Sequence, residues 1–86
     1  MSKYALMLFY TGRELGITDK PGIWYNTHTY YYDNGTEALN AYANTPCPAS
    51  QLIQASDQFE LECLMGDMLL NFQDEEWLNE NLYPYL

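Results

Sequence analysis

Hydrophobic and polar positions along the chain fall into two clear strand patterns, then a less regular remainder. Lys3–Tyr10 (KYALMLFY) is almost continuously apolar and is bounded by Gly12, as expected of a central strand. Thr11–Gly22 holds three glycines and a proline and reads as a loop, with one helical turn at Arg13-Glu-Leu15. Ile23–Tyr32 (IWYNTHTYYY) is rich in aromatic and β-branched residues and is the strongest strand signal. Its alternation sets Ile23, Tyr25, Thr27, Thr29 and Tyr31 against Trp24, Asn26, His28, Tyr30 and Tyr32. Neither set is cleanly apolar, which suits an edge strand or one that presents tyrosine rings to a partner.

Asp33-Asn34-Gly35 is turn chemistry, and Thr36 stands where an N-cap would precede a short helix, Glu37–Ala43. That helix would carry Leu39, Tyr42 and Ala43 on one side. Asn44-Thr-Pro-Cys-Pro48 ends it, because proline removes a donor and disfavours helix before it. Ala49–Ala55 is ambiguous, with a further helical turn as its reading. In Gln58–Met65 (QFELECLM), Phe59, Leu61 and Cys63 alternate with Glu60 and Glu62, which favours a strand. The alternative is a helix: Glu, Leu and Met are helix formers, and Ser56 or Asp57 could cap one. Asp67–Phe72 reads as helical. Asp74 is an N-cap, with Glu75 and Glu76 in the first turn of a helix through Trp77, Leu78 and Leu82 that Pro84 closes. The order β-β-α-(α)-β-α predicts a single α+β domain over residues 1–86, about three antiparallel strands packed with two or three short helices.

Composition changes this picture in two ways. At 86 residues and 48% hydrophobic, the chain has the makings of one modest core. Yet nine of its fourteen aromatics are Tyr, which suits half-buried surfaces and interfaces. No apolar run is long enough to span a bilayer, and the first ten residues lack a cleavage pattern for export. With only Cys47 and Cys63, a disulfide framework is excluded, and a cytoplasmic protein is expected.

Candidate chemistry is sparse. One histidine rules out a His-pair metal site, and the two cysteines lack zinc-ligand spacing. There is no phosphate-cradling glycine loop and no Gly-x-Ser-x-Gly elbow. Asp74-Glu-Glu76 lacks calcium-loop spacing and is explained as acids complementing a helix dipole. His28 with either cysteine is a weak basis for nucleophilic catalysis. No cofactor or enzyme activity is expected.

Charge is the informative feature. The bases Lys3, Arg13 and Lys20 all lie within the first twenty residues, and the net charge is −9. Residues 21–86 hold ten acids and no Lys or Arg: Asp33, Glu37, Asp57, Glu60, Glu62, Asp67, Asp74, Glu75, Glu76 and Glu80. A soluble surface ordinarily mixes both signs. Size scaling predicts about 5,200 Å² of surface, or about 580 Å² per net charge. Duplex DNA, taken as a cylinder about 10 Å in radius, has about 110 Å² per charge. Gathered on a third of the surface, the acids would come within about twofold of that density. As a strand, Gln58–Met65 would set Glu60 and Glu62 about 6.7 Å apart on one face, like a row of phosphates. Trp77, Tyr83 and Tyr85 would stand beside the acids as aromatic anchors.

In size, charge and tyrosine content the chain resembles the loose class of small phage-encoded inhibitors that mimic DNA, including anti-restriction proteins, anti-CRISPR proteins and inhibitors of uracil-DNA glycosylase. The resemblance is compositional, covers the whole chain and carries no shared motif. It implies an acidic inhibitor that blocks the site of a basic nucleic-acid-binding protein, without itself binding nucleic acid or membrane. The partner-binding residues expected are Asp57, Glu60, Glu62, Asp67, Asp74, Glu75, Glu76, Glu80, Trp77, Tyr83 and Tyr85. Two other readings are an antitoxin, immunity protein or assembly subunit that binds through apolar and tyrosine surfaces, and adaptation to high salt.

Overall fold

A computed structural model describes residues 2–86. The fold is α+β, with one antiparallel sheet of order β2-β1-β3. The strands are β1 (Lys3–Thr11), β2 (Trp24–Tyr32) and β3 (Gln51–Ala55). The helices are α1 (Gly35–Asn44), α2 (Gln58–Asn71) and α3 (Glu75–Asn81), followed by a 3-10 turn at Tyr83–Tyr85.

The apolar run of β1 makes it the central strand. Ala5, Leu6 and Met7 are consecutive and all buried, so both faces of the strand are covered. Ala5, Met7 and Phe9 join Ile53 and Ala55 in the main core beneath Leu61, Phe72, Leu78 and Leu82. Alternation turns Tyr4 and Leu6 the other way, toward α1. There Gly35 sits so close to Tyr4 that a Cβ would fall 2.7 Å from its hydroxyl. β2 pairs with β1 from Tyr4↔Tyr32 to Thr11↔Trp24, with a shift after Leu8↔His28 that leaves Thr27 as the extra residue of a bulge. The Asn26 amide fills the gap by donating to the Leu8 and His28 carbonyls, both at 3.0 Å. Between these strands, Thr11 and Glu14 close the single turn at Arg13–Leu15 reciprocally. The Glu14 amide donates to the Thr11 hydroxyl, and the Glu14 carboxylate accepts from the Thr11 amide.

Three parts of the sequence reading need correction. First, the N-cap of α1 is Asn34 rather than Thr36. Its extended backbone (φ −113°, ψ 122°) lets Oδ1 accept from the amides of Thr36 and Glu37. The side of this helix that carries Leu39, Tyr42 and Ala43 is exposed, and Ala38 is buried.

Second, Gln51–Ala55 is the third strand, not a helical turn. It pairs antiparallel with β1 from Lys3↔Ala55 to Met7↔Gln51, placing Ile53 and Ala55 in the core and Gln54 outside. Beyond the last of these pairs, the Cys47 thiol donates to the Phe9 carbonyl at 3.2 Å.

Third, Gln58–Met65 is helical, the first part of α2. Asp57 caps it, accepting from the Glu60 amide at 2.8 Å, while the Glu60 carboxylate accepts from the Ser56 amide at 3.0 Å. The residues facing the core are Leu61, Met65, Met68 and Phe72, a 4-3-4 helical spacing. The alternation through Phe59, Leu61 and Cys63 has no structural counterpart, because only Leu61 of the three is buried. The element order is therefore β-β-α-β-α-α.

The end of α2 closes the core through aromatic rings. Phe72 stacks on Phe9 with centroids 3.6 Å apart and planes within 3°. Trp24 meets Phe72 edge-on at 5.6 Å and Trp77 is tilted against it at 5.5 Å. The Trp24 indole N–H donates to the Tyr83 hydroxyl at 3.3 Å. Replacing Phe72 by Ala should therefore cost about 3–5 kcal/mol. Phe59→Ala, on the outer side of α2, should stay within about 0.5 kcal/mol of the parent. Urea denaturation of the two variants checks this, and a large loss at Phe59 would contradict the helical register.

Candidate functional site

The eleven expected partner-binding residues divide by the work they do in the fold. Asp57 and Asp74 are N-caps. Asp74 accepts from the amides of Glu76 and Trp77 at 3.0 and 3.3 Å, as Asp57 does from that of Glu60. Glu60 is engaged by the Ser56 amide. Trp77 and Tyr83 are half-buried against the core, so of the three expected aromatics only Tyr85, 82% exposed, presents most of its ring to solvent. Glu62, Asp67, Glu75, Glu76 and Glu80 are exposed. Of these, Glu62 alone has a side-chain contact, to the Gln58 amide at 3.5 Å.

The paired geometry expected of Glu60 and Glu62 is overturned by the helix. Two residues apart at about 100° per residue, their side chains leave α2 about 200° apart. Helical geometry produces other pairs instead. Glu76 and Glu80 are four apart on the face of α3 opposite buried Leu78 and Leu82, with Cβ atoms about 6 Å apart. Glu60 and Asp67 are seven apart on one side of α2, separated by about 10.5 Å along its axis.

No Lys or Arg side chain among the described residues offsets these charges. The one ion pair among the described residues joins Lys3 to Asp33 at 2.9 Å, on an exposed edge. None of the three helices carries a basic residue in its last turn, although Glu37, Glu60, Glu75 and Glu76 occupy first turns.

Other chemistry is thin. The Thr11 hydrogen bonds hold the Glu14 carboxyl below the ordinary carboxylate range, from the backbone first and then the hydroxyl. The Tyr10 hydroxyl is raised, chiefly by its hydrogen bond with Cys47, which moves it away from use as a base near neutrality. No cluster of three or more His, Cys, Asp or Glu side chains among the described residues could hold a metal ion. A cleft of about 660 Å³ between β2 and the end of α2 is lined by Phe9, Trp24, Tyr25, Asn26, Leu69 and Phe72, among others, with no acid or histidine in its wall. No helix among the described residues is long and apolar enough to cross a membrane.

Sequence reasoning missed the apolar side chains left outside. Phe59 (77% exposed) and Leu70 (66%) stand on the outer side of α2; Tyr25, Tyr30 and Tyr31 are also exposed on β2, the strand that the sequence allows to present tyrosine rings. The signal for the first pair was present as the 4-3-4 spacing of Phe59, Cys63, Gly66 and Leu70, which has meaning only on a helix.

The division between capping and free acids is measurable. Asp74→Ala should cost about 1 kcal/mol by removing a cap. Glu80→Gln should be neutral or slightly stabilising, by a few tenths of a kcal/mol, because it relieves the like-charge i,i+4 pair with Glu76. Chemical denaturation at low salt separates the two classes. No known protein family, curated protein or solved structure gives a significant match to this chain.

Proposed function

We propose that this protein is a non-enzymatic inhibitor that occupies the nucleic-acid site of a basic partner, in the manner of anti-restriction and anti-CRISPR proteins, and acts in the cytoplasm. The observation that carries the reading is the unpaired acid surface. Of the ten acids after Lys20, all exposed, only Asp33 has a basic partner among the described residues. Isolated acids on a neutral surface gain little. Nine of them without a cation generate a field that steers a basic groove toward the protein and excludes nucleic acid from it.

The accessible surface of 5723 Å² for a net charge of −9 gives about 640 Å² per charge, some sixfold more dilute than duplex DNA. Concentration on the helices narrows that gap. Glu75, Glu76 and Glu80 belong to a seven-residue helix, and Glu60, Glu62 and Asp67 to about two turns of α2. The mimicry proposed is thus of charge density over a helical surface, not of a regular phosphate row.

The exposed rings of Tyr25, Tyr30 and Tyr31 on β2 favour a second reading, an antitoxin, immunity protein or assembly subunit bound through apolar contacts. The experiment that separates them uses tagged protein on a nuclease-treated lysate, with a salt gradient and then duplex DNA or guide RNA as competitor. Charge mimicry requires a nucleic-acid-binding partner that is released at moderate salt and displaced by the competitor. A variant with Glu62, Asp67, Glu76 and Glu80 reversed to Lys should lose capture at least tenfold. Because these four acids make no cap, it should still fold. A partner held equally well by that variant, and indifferent to salt, would transfer the case to the tyrosine surface.

A further inference from the structure

The outer side of α2 carries a second pattern beside its acids. Phe59, Cys63, Gly66 and Leu70 follow one another at intervals of four, three and four. At about 100° per residue they fall within a sector of about 60°, opposite the core-facing line of Leu61, Met65, Met68 and Phe72. All four are exposed. The helix thus has two apolar seams back to back. The inner one is covered by the sheet, and the outer one is open.

Two features of the outer seam have no explanation inside this chain. A large apolar side chain on each end turn faces water. Gly66 occupies a helix interior, where glycine is the least favoured residue after proline. A Cβ at Gly66 would meet nothing within 4 Å, so neither packing nor backbone strain requires glycine there. A glycine and a cysteine between two bulky residues would let another backbone come close at the middle of the seam.

The spacing is that of a coiled-coil seam, with Phe59 and Gly66 at one kind of core position and Cys63 and Leu70 at the other. The four flanking positions are then Glu60, Glu62, Asp67 and Leu69. Three are acidic, on both sides of the seam, and none of them is paired with a base among the described residues. In paired helices such positions choose the partner by charge. A second copy of this chain would set acid against acid and bring two net charges of −9 together. Complementarity calls for Lys or Arg.

We infer that α2 is a docking helix whose outer seam, Phe59–Cys63–Gly66–Leu70, receives an amphipathic helix with an apolar stripe flanked by Lys and Arg. The inference rests on the reading of the chain as a binder of basic proteins, and adds the apolar contact and the helical form of the partner element.

The probe is a three-heptad peptide with Leu at the core positions and Lys at the flanking ones, and a control peptide with Glu at the flanking positions. Binding is read by fluorescence anisotropy. Protection of Cys63 from alkylation gives a second readout, since Cys63 is exposed and Cys47 buried. The Lys peptide should bind and shield Cys63, and the Glu peptide should do neither. Phe59→Ser with Leu70→Ser should weaken binding at least tenfold with all acids intact. Glu62→Lys with Asp67→Lys should weaken it comparably with the seam intact. Gly66→Leu should raise the denaturation midpoint yet weaken binding, a pairing of effects that a structural role for Gly66 would not produce. If the serine variant binds as the parent does while the lysine variant fails, the seam is wrong and the acidic reading survives. If the lysine variant binds unchanged while the serine variant fails, the basic partner is wrong for this helix. Self-association of the free protein that the serine variant abolishes would also overturn the inference, in favour of a second copy.

Discussion

The structure turns on the ring of Phe72. It is the C-cap of α2, it stacks on Phe9 of the central strand, and it is flanked by Trp24 of β2 and Trp77 of α3. Four elements, two strands near the start of the chain and two helices near its end, are thereby held by one aromatic contact set. The direction of α2 follows from it, because a helix capped by Asp57 at one end and fixed by Phe72 at the other must lay Leu61, Met65 and Met68 along the sheet. The point at which α3 leaves is set as well, since only Gln73 separates Phe72 from the next cap, Asp74.

That geometry sorts the acids. Asp57, Glu60 and Asp74 lie where helices begin, and they satisfy amides that would otherwise lack partners. Glu62, Asp67 and Glu80 answer to no such need, and Glu75 and Glu76 serve the fold only through the dipole of α3. A surface helix can be kept soluble by mixed charges just as well, and mixed charges would allow supporting i,i+4 ion pairs. The exclusion of Lys and Arg from all three helices forgoes that support, which favours a role outside the chain for the acids that remain.

How much of this was legible in the sequence depended on segment length and on local signals. The continuous run of β1, the aromatic run of β2 and the Asp-Glu-Glu start of α3 each carried their own evidence, and the elements form there. Gln58–Met65 misled because eight residues sample strand and helix periods almost equally well. Leu61 belongs to both patterns, and the helical partners that decide the matter, Met68 and Phe72, lie beyond the window. β3 was obscured because its five residues gain their strand form from pairing with β1, a contact about fifty residues away in sequence. Reading the acids from a strand put Glu60 beside Glu62. Reading them from a helix separates the two and brings Glu76 and Glu80 together. The composition of the charged surface could thus be read without the structure, whereas its geometry could not.

The absence of internal cations has a further consequence, for the solution around the protein. Nine exposed carboxylates that no side chain neutralises must hold dissolved cations near them. Those ions are ordered only loosely, but they are ordered. Any basic surface that settles on α2 or α3 returns them to bulk, and the entropy of their release adds to the association. Part of the drive for binding would then reside in neither partner, and it would weaken as the surrounding solution fills with salt.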